Sequence, residues 1–333
     1  CALPGVRLIG CSTPTMPMPV IYEPTACFVA QGRKRATLGC TVFHYDPSRY
    51  LVASVGLPVM GAVIEASAAQ PYLSLQLDLD ATQLVDLALQ HPRPADAHAM
   101  STGLSLNTMT PALLDATTRL LALLDAPEDL DALAPLAMRE ILYRLLTGPN
   151  GASIHAMAQA DSRHGQIARS ILWIRANFRD ACRIDDIASI AGMSRSTFHA
   201  HFKAVTAMSP LEFRTQLRMQ EARRLMVSDG MDAANAGYTV GYDSPSQFSR
   251  EYSRLFGEPP QRDVKRMGMP WPFDACSLGD HRPPQAQQRQ DNPGPPTCDP
   301  PRVQPGPPND GFVRRASAAR WGDSKGVTRI QSG

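Results

Sequence analysis

The sequence predicts an α+β multidomain protein with a β-rich first part, an all-α second part and a disordered tail. Three observations carry this prediction. Short apolar runs separated by turn residues fill residues 20–80, helical periodicity dominates much of residues 111–267, and 12 prolines fall within residues 268–333. A chain of 333 residues has room for two or three domains of ordinary size.

The β-rich part is predicted from short runs of apolar and aromatic residues that are bounded by turn residues. The runs lie at residues 26–30, 41–45, 50–55 and 72–77, and the breaks include Gln31-Gly32, Leu38-Gly39, Asp46-Pro47, Leu57-Pro58 and Gln70-Pro71. Many short strands with such punctuation are typical of a β-sandwich or a small barrel.

Two helices are expected next, because apolar residues recur at helical spacing on both sides of a break at residues 125–129. The first stripe comprises Leu113, Leu114, Thr117, Leu120, Leu121 and Leu124, and the second comprises Leu133, Leu136, Ile141, Leu142 and Leu145. Gly148 and Gly151 end the second helix. We expect residues 15–150 to form the first domain and the small, polar residues 151–163 to form a linker.

Charge and cysteine content narrow the class of protein. Residues 15–150 carry a net charge of −5 and residues 161–267 a net charge of +4, so the second half is the one suited to a polyanion. The seven cysteines are odd in number and show no C-x-x-C spacing, which argues against a disulfide framework and favours a reducing cytoplasm. No long uncharged apolar stretch predicts a membrane span.

Both ends of the chain are unusual. Residue 1 is Cys, and residues 1–20 lack the basic region and apolar core of a signal peptide, so we interpret them as a truncated start. Residues 268–333 are too rich in proline to bury a core, and we expect them to be disordered. A regulatory or sorting tail and the readthrough of a GC-rich reading frame both remain open.

A helix, a short turn and a second helix are predicted over residues 184–203. Gly192 permits a tight turn, and Ser194 is a good N-cap for the helix that follows it. Phe198 and Phe202 are four residues apart and therefore face the core together. The polar residues left on the outer face are Arg195, Ser196, His199 and Lys203.

The same pattern recurs near residues 232–255. Gly241 lies in the second turn, and Ser244-Pro245 starts the next helix, where proline suits the first turn. Phe248 and Tyr252 point inward, and the polar outer residues are Ser246, Gln247, Arg250 and Arg254. A long helix from Ser209-Pro210 to Met226 is expected to pack against both copies. Two helix-turn-helix units are therefore predicted.

Five segments of this part carry a family pattern, at residues 187–194, 202–206, 208–210, 218–225 and 240–257. The last of them reads VGYDSPSQFSREYSRLFG. They resemble the AraC/XylS transcriptional regulators over about residues 164–266. Residues 22–34, 50–52 and 71–73 resemble the cupin-type N-terminal domain of one branch of that family, which extends the likeness to about residues 20–267.

The resemblance implies a cupin-like N-terminal β-barrel and, at residues 164–267, seven helices whose two helix-turn-helix units enter successive major grooves about 34 Å apart. By motif position the base-contacting candidates are Arg195, Ser196, His199, Ala200, Ser246, Gln247 and Arg250. Lys203 and Arg254 are expected to meet phosphates. Arg250 suits bidentate contact with guanine. Ala200 stands where the family often has arginine, so the first helix is expected to read bases differently.

A small barrel can hold a small ligand. The candidate ligand-binding residues are Cys27, Gln31, Lys34, Tyr45 and Tyr72. Cys27 would react with an electrophile if neighbouring cations lowered its thiol pKa, and a buried, inert cysteine is the alternative. For the other four residues the alternative is ordinary turn and strand packing. We expect no cofactor or metal, since His44 and Glu65 alone do not make a ligand cluster and His199 and His201 point to different sides.

We therefore predict a cytoplasmic transcription regulator and not an enzyme; it is interpreted as an activator, with repression left open. The expected partners are double-stranded DNA, a small-molecule effector, RNA polymerase and, through the leucine stripes of residues 111–147, a second copy of the chain. The same helices are expected to couple the two domains. Two alternatives remain: an enzyme or ligand-binding cupin with an accessory DNA-binding module, and a non-functional gene product.

Overall fold

The computed structural model describes residues 3–92, 102–149 and 151–267. Its strands are β1 (Val6–Cys11), β2 (Met18–Tyr22), β3 (Thr25–Gln31), β4 (Arg33–Leu38), β5 (Thr41–Tyr45), β6 (Arg49–Ala53), β7 (Leu57–Glu65), β8 (Tyr72–Asp78) and β9 (Leu104–Thr108). Its α-helices are α1 (Ala81–Gln90), α2 (Pro111–Ala122), α3 (Leu130–Thr147), α4 (Gly151–Ala158), α5 (Arg163–Asn177), α6 (Ile184–Ile190), α7 (Arg195–Thr206), α8 (Pro210–Ser228), α9 (Ala233–Thr239), α10 (Pro245–Phe256) and α11 (Pro260–Met267). The expected tail at residues 268–333 lies outside the described residues.

The strands form two antiparallel sheets, in the orders β1-β8-β3-β6-β9 and β2-β7-β4-β5. The four predicted runs correspond to β3, β5, β6 and β8, and the expectation of a sandwich or small barrel is confirmed. β1 pairs with β8 from Val6 to Cys11, so the first sheet extends before the boundary expected at residue 15. The expected break at Leu57-Pro58 is wrong, since these residues open β7.

Both faces of the first sheet are buried, and this explains the continuous apolar run in β3. Cys27 and Val29 point into the core between the two sheets. Ala26 and Phe28 point to the opposite face, where α1–α4 cover the sheet. Alternate residues of one strand thus belong to different cores, because side chains on a strand alternate between faces.

The helices that follow the strands agree with the predicted break, which two short 3₁₀ turns occupy between α2 and α3. The predicted stripes are only partly buried. Leu114, Leu133 and Leu136 are exposed, whereas Leu120 and Leu142 lie in the core. The expected linker at residues 151–163 is largely α4, and its Ile154 is buried against the same core.

Residues 163–267, all of which the structure describes, form seven helices, as the resemblance implied. Ser194 and Ser244 cap α7 and α10 as predicted, each through its hydroxyl. α8 begins after Ser209, whose side chain and that of Glu212 form a capping box. These caps satisfy amide groups that the first helical turn leaves without backbone partners.

The two helix-turn-helix units have different packing environments. The core of the first unit is continuous with the core between the two sheets and includes Phe198 and Phe202. The second unit has its own core, centred on Phe248 and Tyr252. Among the residues that the structure describes, only the first unit shares a hydrophobic core with the N-terminal domain.

Direct backbone contacts join the N-terminal domain to the end of α7. The Gly103 amide donates to the Val205 carbonyl at 2.7 Å, and Gly39 lies against Ala207, which follows α7 in a left-handed conformation with φ of 59°. From the sequence, residues 111–147 are expected to couple the two domains. These residues form α2 and α3, which pack on the face of the first sheet that points away from the helix-turn-helix units. A direct backbone connection from the barrel to the end of α7 thus runs through the loops at Gly39 and Gly103.

Candidate DNA-binding and effector sites

The first reading helix, α7, presents a polar surface to solvent. Arg195, Ser196, Ala200 and Lys203 are exposed, and His199 is half-buried. A guanidinium nitrogen of Arg195 lies 3.8 Å from a carboxylate oxygen of Asp185 in α6. At that distance and exposure the ion pair is weak, so the arginine is free to reach another acceptor.

The second reading helix, α10, presents the exposed residues Ser246, Gln247, Arg250 and Arg254. The Gln247 amide nitrogen donates to a Glu251 oxygen at 3.1 Å, and the Tyr242 hydroxyl donates to the other Glu251 oxygen at 2.6 Å. Glu251 was absent from the predicted site. The spacing of four residues from Gln247 was the available signal, since such pairs are neighbours on a helix.

α8 holds the two reading helices in a fixed relation. Its Phe213 packs in the first core and its Ala222 in the second. Between them, Arg218 is buried and donates to the carbonyls of Phe178 and Gly241 at 2.6 and 2.8 Å. One guanidinium thus ties the end of α5 to the turn of the second unit.

Four of the five predicted ligand-binding residues come together inside the barrel. All four side chains are buried: Cys27, Lys34, Tyr45 and Tyr72. Each of them interacts electrostatically with at least one of the others, and Tyr22 interacts with Lys34, Tyr45 and Tyr72. The sequence prediction missed Tyr22, whose hydroxyl lies 3.2 Å from that of Tyr45 and whose ring centre lies 5.6 Å from the Lys34 nitrogen. We call these five side chains the lysine–tyrosine cluster.

Burial favours the neutral forms of Cys27, Tyr45 and Tyr72. Burial raises the thiol pKa of Cys27 to about 11 and the pKa of Tyr72 to about 12. Burial also opposes the charge of Lys34, but the phenol groups of Tyr22 and Tyr72 outweigh this effect and raise its pKa. A single buried ammonium group therefore lies near the phenol groups of Tyr22 and Tyr72.

The surroundings of two candidate ligand-binding residues, Cys27 and Gln31, bear on their proposed roles. The raised pKa of Cys27 is the opposite of what a reactive thiol requires, because the cost of burying a thiolate exceeds the attraction of Lys34 and Arg7. Gln31 lies outside the cluster, at the end of β3, where its amide donates to the carbonyl of Pro71 at 2.8 Å. This hydrogen bond fixes the Gln31 side chain beside the start of β8.

A groove of about 920 Å³ lies between β2 and the helices α5 and α8. Its walls include Val20, Ile21 and Phe178, and an ion pair between Glu23 and Arg175 crosses it. None of the predicted ligand-binding residues lines this groove. The groove is separate from the lysine–tyrosine cluster and is lined by residues of both domains.

In residues 3–92, 102–149 and 151–267, no group of three or more histidine, cysteine or acidic side chains is arranged to hold a metal ion. His44 and Glu65 are both exposed. In the same described residues, no helix combines the length and apolarity that crossing a bilayer requires.

Comparison with known families identifies both halves of the chain. Residues 2–153 match the AraC-type transcriptional regulator N-terminus, and residues 187–266 match a helix-turn-helix domain. The chain belongs to the AraC family of transcription regulators. It therefore combines an N-terminal regulatory domain with a helix-turn-helix DNA-binding domain, and its family consists of regulators and not of enzymes.

Individual relatives of this AraC-family chain match it over part of their length. A protein of Streptomyces lividans described as an AraC-like transcription regulator is 37% identical over 28% of the chain and 31% of its own length. The transcriptional activator RhaS of Escherichia coli is 24% identical over 46% of the chain and 55% of its own length. The matches thus span 31% and 55% of the lengths of these two relatives.

A solved structure supports the two-domain fold of this AraC-family chain. ToxT from Vibrio cholerae, in a crystal structure with a bound unsaturated fatty acid, has a TM-score of 0.52 at 10% identity. The match covers 78% of the chain and 94% of ToxT. At that identity the likeness concerns the fold.

Proposed function

We propose that the chain is a sequence-specific transcription regulator whose two reading helices, α7 and α10, enter successive major grooves of one DNA duplex. The observation that carries the proposal is the fixed pair of exposed, polar helices joined by α8 and Arg218. Two helices on one rigid support suit two half-sites one helical turn, about 10.5 base pairs, apart.

The proposed base contacts are Arg195, Ser196, His199 and Ala200 in α7, and Ser246, Gln247 and Arg250 in α10. Lys203 and Arg254 lie nearer the ends of these helices and are proposed to contact phosphates. Ala200 cannot donate a hydrogen bond, but its methyl group suits the methyl of thymine. We propose 164–267 as the limits of the DNA-binding domain, and we extend the first domain from 15–150 to include β1 and α4.

Selection from a random duplex library at near-physiological salt tests this proposal. The full chain should enrich a site with two boxes one turn apart. Enrichment without sequence preference would contradict the proposal, since it would leave only the electrostatic attraction to phosphate.

Arg250→Ala should abolish one guanine preference in one box. Because a bidentate arginine–guanine contact discriminates by about 1–3 kcal/mol, the preference should fall about 5- to 150-fold. The matched control is Arg254→Ala, which should weaken binding to all sequences alike. It should also reduce the slope of log affinity against log salt concentration by about 1, the value expected for one lost phosphate contact. Equal loss on all sequences in Arg250→Ala would place that arginine on the backbone instead.

We also propose that the N-terminal domain senses a small molecule through the lysine–tyrosine cluster. A buried ammonium ringed by phenol groups suits a ligand with a carboxylate or phenolate oxygen. The ligand-bound ToxT structure supports effector sensing in this fold. The contacts of Gly39 and Gly103 with the end of α7 supply a route by which the barrel would bias the first reading helix.

Lys34→Met should remove the effector response while leaving a folded chain. Thermal unfolding against a panel of small carboxylates, phenols and neutral sugars measures it: binding at 100 times Kd should stabilise the wild type by about 2.7 kcal/mol. The exposed neighbour Arg33→Met is the matched control. A carboxylate response that survives Lys34→Met would move the effector site to the groove beside Glu23 and Arg175.

The remaining proposals concern partners and location. The exposed Leu114, Leu133 and Leu136 on α2 and α3 suit pairing with a second copy of the chain. We also propose a cytoplasmic location and contact with RNA polymerase, by which the chain would activate transcription; repression is the alternative.

A further inference from the structure

A carboxylate lies next to the proposed base contacts of α10. Glu251 neighbours Arg250 in the chain and lies one turn after Gln247. A negative charge at a DNA-binding surface repels phosphates and lowers affinity for every sequence. Glu251 is therefore expected to contribute to sequence recognition in a way that compensates for the lost affinity.

Glu251 is anchored to the core of the second unit. The Tyr242 hydroxyl donates to it at 2.6 Å, and Tyr242 is itself only 6% exposed. The Tyr242 ring packs edge-on against Phe248, with ring centres 5.6 Å apart. The guanidinium of Arg218, a residue of α8, lies 5.6 Å from the centre of the Tyr242 ring. The carboxylate thus has a fixed place relative to the helix.

The fixed carboxylate sets the orientation of the Gln247 side chain. The amide nitrogen of Gln247 donates to Glu251 at 3.1 Å. A rotated amide would instead place its carbonyl oxygen against the carboxylate, which is repulsive. The second N–H and the carbonyl oxygen of Gln247 remain available on an exposed side chain. One donor beside one acceptor is the pair that matches the N7 and N6 edge of adenine.

We propose that Glu251 is a positioning residue that fixes the Gln247 amide, so that the second helix-turn-helix unit prefers adenine at one base pair. This inference rests on the proposed function, because it assumes that α10 enters a major groove. Tyr242 holds Glu251, Glu251 orients Gln247, and Gln247 reads the base. The preference for one base thus depends on Tyr242, a buried residue that does not contact DNA.

The test is selection from the random duplex library with the full chain and with Glu251→Ala, Tyr242→Phe, Gln247→Ala and Glu258→Ala. Wild type should prefer adenine at one position in the box that Arg250→Ala identifies. Glu251→Ala should reduce this preference about three- to tenfold, which is the expected cost of losing the ordering of one side chain. Tyr242→Phe should act in the same direction, and Gln247→Ala should abolish the preference.

Glu258→Ala is the matched control, because Glu258 pairs with Arg266 away from Gln247. Glu258→Ala and Glu251→Ala each remove one negative charge, so both should raise the general affinity for duplex DNA. Only Glu251→Ala should change the adenine preference, while the guanine preference assigned to Arg250 persists and shows that the helix is still folded. An unchanged adenine preference in Glu251→Ala and Tyr242→Phe would overturn the inference. If the wild type selects no sequence at all, the proposed function fails, and the inference with it.

Discussion

Asp263→Ala should destabilise the second helix-turn-helix unit by roughly 3–5 kcal/mol, because it leaves the charge of Arg223 buried without its partner. Asp263 is fully buried and Arg223 is 4% exposed. One Asp263 oxygen accepts from Arg223 at 2.9 Å, and the other accepts from the Tyr252 hydroxyl at 2.8 Å. A single carboxylate in α11 therefore ties down side chains of α8 and α10.

Urea unfolding and amide hydrogen exchange in α10 and α11 measure this effect. Arg266→Ala is the control, since Arg266 binds the same carboxylate from a side chain that is 46% exposed, and its loss should cost under about 1 kcal/mol. Replacing both buried partners, with Arg223→Met and Asp263→Leu, should recover most of the stability. An Asp263→Ala chain that is no less stable than the Arg266→Ala chain would show that Arg223 finds another partner or water.

The helix-turn-helix units were predictable from sequence because their signals are local. Caps such as Ser194 and Ser244 and the core pairs Phe198–Phe202 and Phe248–Tyr252 lie within a few residues of each other. Helical periodicity and capping depend on neighbours three or four positions away. The structure therefore places these elements where the sequence predicts them.

The barrel was less predictable because its strands depend on distant partners. β1 was missed, since its residues become a strand only by pairing with β8 some 65 positions later in the chain. Pro58 was interpreted as a break, but β7 contains it near its first residue, where proline is tolerated. Tyr22 escaped the predicted site for the same reason: only the assembled sheets bring it to Tyr45.

Sequence alone also predicts the DNA-binding surface incompletely. The resemblance supplied Gln247 and Arg250 by motif position, but it did not show what holds their side chains. Glu251 carries no motif signal beyond its spacing, and the hydrogen bond from Tyr242 depends on the folded turn. Residues that contact a ligand are easier to predict than the residues that orient them, because orientation is a tertiary property.

Gly241→Ala should be among the most damaging substitutions in the turns, although Gly192 occupies the corresponding turn of the first unit. Both glycines have left-handed backbones, with φ of +88° and +66°. A Cβ at Gly241 would overlap the carbonyl oxygen of Arg179 and approach an Arg218 nitrogen within 2.8 Å, whereas a Cβ at Gly192 would meet nothing within 4 Å. The two turns share a conformation but differ in crowding.

This difference separates backbone strain from steric overlap. Gly192→Ala should cost about 1–2 kcal/mol, the penalty of a left-handed alanine, and Ala207 shows that an alanine adopts this conformation in the same domain. Gly241→Ala adds overpacking of about 1–3 kcal/mol, for about 2–5 kcal/mol in all. The Arg218 hydrogen bond to the Gly241 carbonyl, which joins the two units, should be disturbed as well.

Unfolding free energies of the two variants, measured side by side, test the energetic expectation, and affinities for duplexes test its functional consequence. With the selected two-box duplex, Gly241→Ala should bind no better than wild type binds a duplex with a scrambled second box. Gly192→Ala should keep most of its affinity for both boxes, because its turn has room for a methyl group. Equal destabilisation in the two variants would mean that the loop carrying Arg179 moves aside, and that Arg218 does not hold the second reading helix in the fixed relation on which two-box recognition depends.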